Sequence, residues 1–407
     1  MPSESVEQKD GPLAGIRVLE VANWLAAPAG CALLADAGAD VIKVETPAGE
    51  PYRAYRGGAG VELPYNPFFE LDNRGKRAIT LNLDHPAARG VIYRLITESD
   101  IFVTNLLAKR RERYGLTYED LKVHRPDLIF VSVTGYGSWG PDRDRAGYDY
   151  AAFWARSGIM NLLGEPDSPP PPQRPGMGDH TTALAVAGAI SMALFNRERT
   201  GQGEQIDISL NNTGIWVLAI DVQAALTTGR SPERLSRRDV PNPIWNSYRT
   251  GDGRWIQLVM LVADIYWPKF CRAIDRLDLE KDERFENLAK RTENRQELIS
   301  LLDSVFAEKT LAEWTDLLDR EGCIWAPAQT IDETVSHPQT LARDAFTDVD
   351  HPTHGHLRLV DSPVKYAGAY VTARGPAPEL GQHTEEVLLE AGYGWDEIAQ
   401  LRESGAL

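Results

Sequence analysis

Short runs rich in β-branched residues alternate with segments of helical spacing through residues 1–135 of this 407-residue chain. Such an alternation is typical of parallel strands joined by crossover helices. We therefore predict an α/β fold with a doubly wound, Rossmann-like sheet, in which ligands bind beyond the carboxyl ends of the strands. The predicted strands are 16–22, 40–45, 78–83, 100–105 and 128–137, with a further strand at 205–210, and the predicted helices are 27–37, 86–99 and 118–125.

The remainder of the chain indicates a second, smaller domain. A polar and basic segment with prolines, 227–243, is interpreted as a linker. After it, a glycine-containing turn at 250–253 predicts a hairpin, and helices of amphipathic spacing follow. We predict a large domain formed by 1–226 and 340–407, and a small α+β domain formed by 244–339.

Composition excludes several classes of partner. Lys and Arg number 43 against 59 Asp and Glu, a formal net charge of −16; such a chain repels polyanions, so we predict no nucleic-acid partner. Three widely spaced cysteines suit a reducing compartment. The start of the chain is polar, and the longest apolar run, 181–195, is short for a membrane span. We predict a cytoplasmic protein with no membrane partner.

A proline- and glycine-rich loop delivers one carboxylate, Asp179, to the start of a helix predicted at 179–196. The pattern alone favours an N-cap role, because aspartate accepts hydrogen bonds from the free N–H groups of a first helical turn. A nucleophilic role is the alternative. The two roles are compatible, since the positive end of a helix keeps a carboxylate ionised.

Other polar clusters are interpreted as surface features. Lys76 and Arg77 precede a predicted strand and are expected to be solvated residues at the edge of the sheet. The basic run 109–111 is interpreted as a solvated helix face, with contact to a phosphate group as the alternative. The three histidines of the segment 351–356 are expected in a polar surface turn, so we predict no metal site.

Four longer blocks follow one another along the chain: GIRVLEVANWLAAPAGCALLADAGADVIKVETPAGE, DNRGKRAITLNLDHPAARGVIYRLITESDIFVTN, RYGLTYEDLKVHRPDLIFVSVTGYGSWGP and GMGDHTTALAVAGAISMALFNRERTGQGEQIDISL. In order and spacing they resemble family III CoA-transferases, the group of the formyl-CoA and carnitine CoA-transferases. The resemblance extends over residues 11–400 and is therefore far more specific than a single short motif.

The resemblance implies that Asp179, in the MGD block, attacks the thioester of an acyl-CoA. A mixed anhydride and then an aspartyl-CoA thioester would form, and a second carboxylic acid would collect the CoA. The substrates are then an acyl-CoA and a free acid, with no tightly bound cofactor, and the assembly is an interlocked homodimer. The CoA-binding residues that the resemblance implies are Leu81, Asn82, Leu83, Asn105, Leu106, Arg113, Tyr114 and Tyr136.

The sequence departs from the formyl-CoA transferase pattern at three points. Leu25 stands where that pattern has glutamine, Thr46 stands where it has arginine, and the segment NPIWNSYRTGDGRW lacks a run of glycines. We therefore expect a different acid with a larger acyl group. The candidates for an acyl pocket are Trp24, Tyr148, Phe153, Trp154 and Met160.

Two alternative functions share this fold. A 2-methylacyl-CoA racemase needs two opposed acid–base groups, and that branch carries a histidine in a GHD block. Here the block is GYD, with Tyr148, and a phenol with a pKa of about 10 is a poor base at neutral pH. Transfer is therefore favoured over racemisation. A non-catalytic acyl-CoA-binding homologue is the other alternative, because a fold does not guarantee an activity.

Overall fold

The computed structural model describes residues 11–57, 63–368 and 370–407. The chain divides into two compact units. The first consists of Met1–Met160, Pro172–Arg230 and Leu341–Leu407, and the second of Asn161–Pro171 and Ser231–Thr340. The first unit is therefore assembled from both ends of the chain.

Six parallel strands form the main sheet of the first unit: β1 (Arg17–Val21), β2 (Asp40–Glu45), β3 (Arg77–Thr80), β4 (Ile101–Thr104), β5 (Ile129–Thr134) and β6 (Glu204–Ser209). They pair in the order β3-β2-β1-β4-β5-β6. The central strands are almost entirely buried and rich in Val, Ile and Leu, as expected when helices cover both faces of a sheet. The predicted doubly wound α/β sheet is confirmed.

The helices of this part of the chain are α1 (Ala26–Asp36), α2 (Pro67–Asn73), α3 (Ala88–Thr97), α4 (Ala108–Tyr114), α5 (Tyr118–Leu121), α6 (Ile159–Leu162), α7 (Met177–Thr200), α8 (Leu210–Val217) and α9 (Ala219–Thr228). α1 and α7 pack together on one face of the sheet. Gly30 permits their close approach, since a Cβ there would lie 2.7 Å from Cγ1 of Val186. α3 packs on the opposite face.

The second unit has its own sheet and its own core. The strands β7 (Ser247–Arg249), β8 (Trp255–Leu258) and β9 (Trp325–Pro327) are antiparallel in that order, and the hairpin predicted around 250–253 joins β7 to β8. Phe270, Phe306 and Trp314 are buried in the core. The helices are α10 (Ala263–Ala273), α11 (Leu277–Glu280), α12 (Leu288–Glu293), α13 (Arg295–Phe306), α14 (Leu311–Arg320), α15 (Ile331–Ser336) and α16 (Pro338–Ala342).

The C-terminal segment returns to the first unit and covers the free edge of β3. It forms an antiparallel hairpin of β10 (Phe346–His351) and β11 (Gly355–Val360), then α17 (Thr384–Glu390) and α18 (Trp395–Glu403). The Thr80 N–H donates to Oγ1 of Thr384 (3.1 Å), and the Asn82 N–H donates to the Ala406 carbonyl (2.8 Å). Backbone groups that an edge strand leaves free are thereby paired. None of the helices in the described ranges combines the length and apolarity that a bilayer span requires.

The interpretation of Lys76 and Arg77 as solvated residues is wrong. Nζ of Lys76 is fully buried and lies 2.8 Å from Oε2 of Glu20. Arg77 forms ion pairs with Asp40 (2.6 Å) and Glu390 (2.9 Å). Glu20 lies on the central strand β1, and Glu390 lies on α17 of the C-terminal segment. Both cations are held by carboxylates, because a charge removed from water requires a partner.

Candidate active site

β1 and β4 are neighbours at the centre of the sheet, where the strand order reverses and a crevice opens at the carboxyl ends. Asn23 follows β1 and Asn105 follows β4. The Asn23 N–H donates to Oδ1 of Asn105 (3.2 Å), and Nδ2 of Asn105 donates to the Asn23 carbonyl (2.6 Å). These two hydrogen bonds fix the loops on either side of the crevice.

A cavity of about 260 Å³ occupies this crevice. The loops after β1, β4 and β5 supply most of its lining, and the end of β5 and the first turns of α1, α4, α7 and α8 supply the rest. Its wall includes Trp24, Asn105, Arg110, Tyr148 and Asp179. We call it the Asp179 cavity, because the carboxylate predicted as nucleophile or helix cap lies in its wall.

The N-cap prediction for Asp179 is wrong. α7 begins at Met177, its capping position is Gly176 in the left-handed conformation (φ 78°), and no side chain of the capping residue bonds the first turn. The Gly178 N–H instead donates to Oδ2 of Asp149 (3.4 Å). Asp179 stands three residues beyond the capping position, and within the described chain its carboxylate accepts no hydrogen bond. It is therefore free for another role.

The electrostatic surroundings of Asp179 favour its protonated form. Its pKa is raised to about 7, first by burial and then by the negative charge of Asp149, while the neighbouring His180 opposes the rise. Burial raises the pKa of Asp149 as well. A carboxylate that is poorly solvated and has no hydrogen-bond donor is a stronger base and nucleophile than one in water.

His180 is held beside Asp179 by a buried carboxylate. Its Nε2 lies 2.9 Å from Oδ1 of Asp72, and Oδ2 of Asp72 accepts a hydrogen bond from the Tyr52 hydroxyl (2.9 Å). Burial lowers the pKa of His180, but the hydrogen bond and charge of Asp72 outweigh it, so that the pKa is raised overall. The imidazolium that this pairing favours keeps part of the Asp179 population ionised.

Two further cavities continue from the Asp179 cavity along the carboxyl edge of the sheet. The first, of about 110 Å³, shares Asn23 and Arg110 with the Asp179 cavity. The second, of about 340 Å³, shares Leu83 and Tyr114 with the first. Because neighbouring cavities share lining residues, the three follow one another along this edge, and together we call them the ligand groove.

The structure places six of the eight predicted CoA-binding residues in the lining of the ligand groove: Asn82, Leu83, Asn105, Leu106, Arg113 and Tyr114. Leu81 and Tyr136 lie outside it. The Leu81 side chain is fully buried in the core, and its N–H donates to the carbonyl of Glu45 on β2 (2.7 Å). Tyr136 packs against the guanidinium groups of Arg145 (5.7 Å) and Arg156 (5.6 Å).

Arg110 belongs to the basic run 109–111, for which the sequence favoured a solvated helix face over contact with a phosphate group. It lines both the Asp179 cavity and the adjoining one, and among the described residues its guanidinium has no carboxylate partner. Arg111 differs, because it is buried and donates to the Leu106 carbonyl (3.2 Å) and to Oγ of Ser138 (2.9 Å). The solvated-face interpretation is therefore wrong for Arg111. The signal for Arg110 was its place in the first turn after β4, at the crevice.

Two of the five acyl-pocket candidates reach the Asp179 cavity. Trp24 and Tyr148 line it, and their rings meet edge to face with centroids 5.6 Å apart. Phe153 and Trp154 are instead buried in a separate apolar cluster, against which Met160 packs.

The histidines near the C-terminus do not form a metal centre. Over the ranges that the structure describes, no three His, Cys, Asp or Glu side chains converge as metal ligands. His351 is buried, and its Nδ1 accepts hydrogen bonds from the N–H groups of Thr353 (3.0 Å) and His354 (3.1 Å). It therefore stabilises the turn between β10 and β11.

Comparison with known proteins shows the family of the chain. The sequence profile of CoA-transferase family III matches residues 13–384. The chain belongs to CoA-transferase family III. A cinnamoyl-CoA:phenyllactate CoA-transferase of Clostridium sporogenes is 34% identical over 400 residues, which cover 97% of each chain. A succinyl-CoA:glutarate CoA-transferase of Mus musculus is 32% identical over 400 residues, 97% of this chain and 90% of the mouse protein.

A solved structure of this family has the same fold. A CaiB/BaiF family protein from Brucella suis superposes with a TM-score of 0.83 at 31% sequence identity, covering 94% of this chain and 100% of that one. This family III CoA-transferase is therefore an enzyme that moves CoA from an acyl thioester, with CoA thioesters as its substrates.

Proposed function

We propose that Asp179 is the nucleophile through which this enzyme transfers CoA from an acyl-CoA to a free carboxylic acid. One observation carries the proposal: a carboxylate without a hydrogen bond, with its pKa raised to about 7, lies in the wall of the cavity at the strand crossover. A carboxylate used only for structure would be paired or capped, as Asp72 and Asp149 are.

In the first half of the proposed reaction, an oxygen of Asp179 attacks the thioester carbonyl of the donor. The C–S bond breaks, CoA leaves as a thiolate, and a mixed anhydride links Asp179 to the acyl group. The thiolate then attacks the aspartyl carbonyl carbon and expels the donor acid as its carboxylate. The product is an aspartyl-CoA thioester, so the energy of the thioester bond is kept on the enzyme.

In the second half, the acceptor carboxylate attacks the aspartyl-CoA carbonyl and releases the thiolate. A second mixed anhydride forms, now between Asp179 and the acceptor. The thiolate attacks the acceptor's acyl carbon, the new acyl-CoA leaves, and the Asp179 carboxylate is regenerated. No proton is gained or lost over the cycle, and no water takes part.

We place the CoA along the ligand groove, with the thioester at Asp179 and the nucleotide towards Arg113 and Tyr114. Phosphate groups require cations. The groove supplies Arg110 at its middle and, at its far end, Arg89 with Arg113, which is ion-paired with Asp84 (2.5 Å). These positive charges are local, which reconciles a net charge of −16 with a polyanionic substrate.

An exchange reaction tests the proposal without knowledge of the natural acids. The enzyme is incubated with an acyl-CoA and the deuterated form of the same acid, and label entering the thioester is measured. We expect exchange in the wild type and at least a thousandfold loss in Asp179→Asn. Asp36→Asn, at a buried carboxylate that is ion-paired with Arg74 (2.6 Å), serves as the control and retains exchange. Undiminished exchange in Asp179→Asn contradicts the proposal, and bound acyl-CoA without exchange in the wild type identifies a non-catalytic binder.

We also propose that two copies form the interlocked homodimer that the family resemblance implies. The outer face of α7 exposes 47% of Leu184, 70% of Met192 and 66% of Phe195, and the following helices expose 79% of Trp216 and 87% of Ile220. Monomeric proteins seldom expose so many large apolar side chains on adjoining helices. Sedimentation should give twice the 45.1 kDa of one chain, and a mass of 45.1 kDa would contradict the proposal.

The identity of the acid is a separate question. The two transferase relatives are named for an aromatic acid and for a dicarboxylic acid, so their names support both classes equally. The chemistry of the Asp179 cavity distinguishes between them.

A further inference from the structure

The Asp179 cavity has a polar end and an apolar end. At one end, Asn23, Leu106 and Arg110 also line the next cavity of the ligand groove, and Asn23 and Arg110 make this end polar. Among the described residues, the remainder of the lining contains Asp179, the polar side chains of Asn105 and Thr134, and no cationic side chain. Its larger side chains are those of Trp24, Leu25, Val133, Tyr148 and Leu210. An acyl chain that extends from Asp179 away from the CoA therefore meets apolar surface.

Trp24, in this apolar wall, has an unusual backbone conformation. Its φ is 66°, in the left-handed region that a bulky residue rarely adopts. Such a conformation costs free energy and persists only where the surroundings impose it. It directs the indole ring into an aromatic cluster, 5.6 Å from Tyr148, 5.9 Å from Tyr52 and 6.4 Å from Tyr55.

A buried carboxylate holds the Trp24 backbone in place. The Trp24 N–H donates to Oε2 of Glu50 (2.7 Å), and Oε1 of Glu50 lies 2.7 Å from Nζ of Lys43. Lys43 also donates to the Ala22 carbonyl (2.9 Å) and pairs with Glu20 (2.9 Å). Neither Glu50 nor Lys43 exposes its side chain. The loop after β1 is therefore tied on both sides of Asn23 to one internal ion network.

We infer that the acyl group carried by this enzyme is that of an apolar monocarboxylic acid, with Trp24 as the specificity-determining residue and Glu50 as the residue that positions it. The inference rests on the function proposed above. A second carboxylate at the far end of the acyl chain would be buried against Trp24, Leu25 and Leu210 without a cation, which is strongly unfavourable. An alkyl or aryl chain would instead pack on the indole ring.

The exchange assay distinguishes the two classes of acid at equal chain length. Hexanoyl-CoA with deuterated hexanoate is compared with adipoyl-CoA and deuterated adipate, which differ only in the distal carboxylate. We expect kcat/KM to be at least tenfold higher for the hexanoyl pair. Equal or faster exchange of the adipoyl pair overturns the inference but leaves CoA transfer intact. No exchange with acetyl-, hexanoyl- or adipoyl-CoA overturns the proposed function as well.

Two variants test the assigned residues through the ratio of hexanoyl to acetyl exchange. The acetyl group has no chain to contact Trp24 and serves as the internal reference. Trp24→Ala is expected to lower the ratio at least fivefold, and Glu50→Gln is expected to lower it in the same direction by releasing the Trp24 backbone. Asp36→Asn, which also removes a buried ion-paired carboxylate, is expected to leave the ratio unchanged.

An unchanged ratio in Trp24→Ala overturns the assignment of Trp24. A lowered ratio in Trp24→Ala with an unchanged ratio in folded Glu50→Gln overturns the positioning role alone. If Glu50→Gln does not fold, Glu50→Asp, which keeps the charge opposite Lys43 but shortens the reach to the Trp24 N–H, takes its place with the same expected fall in the ratio. A fall of equal size in Asp36→Asn shows a general structural effect and also overturns the positioning role.

Discussion

At the level of single residues, Asp179 must satisfy two opposed requirements. It attacks the thioester only as a carboxylate, yet burial and the charge of Asp149 favour its protonated form. The same surroundings that raise the pKa leave the ionised form unsolvated and reactive. His180, paired with Asp72, offsets part of the rise.

The raised pKa of Asp179 predicts an acid limb in the pH profile. We expect kcat/KM for exchange to be half-maximal near pH 7, to reach a plateau above it, and to fall about tenfold per pH unit below it, because kcat/KM reports ionisation of the free enzyme. Removal of the negative charge in Asp149→Asn should move this limb to lower pH. A profile that is flat from pH 5 to pH 8, or a limb that Asp149→Asn leaves in place, contradicts the assignment.

Arg110 should contribute to binding of the CoA moiety. Its guanidinium lines the groove without a carboxylate partner among the described residues, so Arg110→Ala should raise KM for acyl-CoA about tenfold, the loss of one charge-assisted contact of 1.4 kcal/mol or more. kcat should change little. Lys109→Ala removes the neighbouring exposed cation, which lines no part of the groove, and is the control. A KM that is the same in both variants would contradict the assignment.

Several of these residues could be predicted from the sequence, and the others could not, for a physical reason. Asp179, Asn105 and Arg113 lie in the sequence blocks that resemble family III CoA-transferases, so that resemblance was enough to predict them. Arg110 and Lys76 look alike in sequence, as basic residues beside a strand. Their different roles depend on distant segments: Lys76 is buried against Glu20 of β1 and donates to the Pro28 carbonyl of α1, whereas Arg110 opens onto the groove.

At the level of elements, the start of α7 sets the position of the proposed nucleophile. Gly178 lies against Asp149 and Phe153 so closely that a Cβ on it would stand 2.2 Å from Oδ1 of Asp149 and 2.3 Å from the Phe153 ring. Two residues earlier, Gly176 has a φ of 78°. Both glycines allow the loop to bring Asp179 into the cavity wall.

Gly178→Ala should therefore displace the start of α7. We expect a loss of about 1–3 kcal/mol in the free energy of unfolding, from overpacking, together with a fall in kcat as Asp179 moves. Gly90→Ala in α3 is the matched control, because nothing lies within 4 Å of a Cβ there, and it should be neutral or stabilising by up to about 1 kcal/mol. Equal stability and activity in the two variants would contradict this role of Gly178.

Element prediction succeeded where periodicity was strong. All six strands of the main sheet carry β-branched runs that were found from the sequence, with ends within a few residues of those observed. β9 was missed because it has three residues, one of them proline, and β10 because polar residues interrupt it. Both β9 and β10 form because they pair with a neighbouring strand, not because their residues have a strong intrinsic preference for a strand.

At the level of the whole molecule, the exposed apolar face of α7 is the feature that a single chain leaves unexplained. Leu184, Gly188, Met192 and Phe195 recur at helical spacing on its outer side, and all are exposed. The sequence does not predict that this face is exposed, because the same apolar residues are equally compatible with a buried helix. It was the burial of the opposite side of α7, against α1, that identified this side as free.

Met192→Glu should weaken association of the two copies. A charge introduced into an apolar interface must be desolvated, so we expect the sedimentation-average mass to fall towards 45.1 kDa at micromolar concentration. Val123→Glu alters an apolar residue that is 75% exposed elsewhere on the chain and should leave the mass unchanged. An unchanged mass in Met192→Glu would exclude this face as the interface.

Covalent trapping tests the role of Asp179 most directly. The enzyme is incubated with an acyl-CoA in the absence of acceptor and then treated with hydroxylamine or borohydride. After digestion, the mass of the peptide that contains Asp179 is measured by mass spectrometry. We predict conversion of Asp179 to the hydroxamate or alcohol, dependent on acyl-CoA and absent from Asp179→Asn. An unmodified Asp179 in an enzyme that still exchanges CoA, or modification of Asp149 in its place, would contradict the assignment.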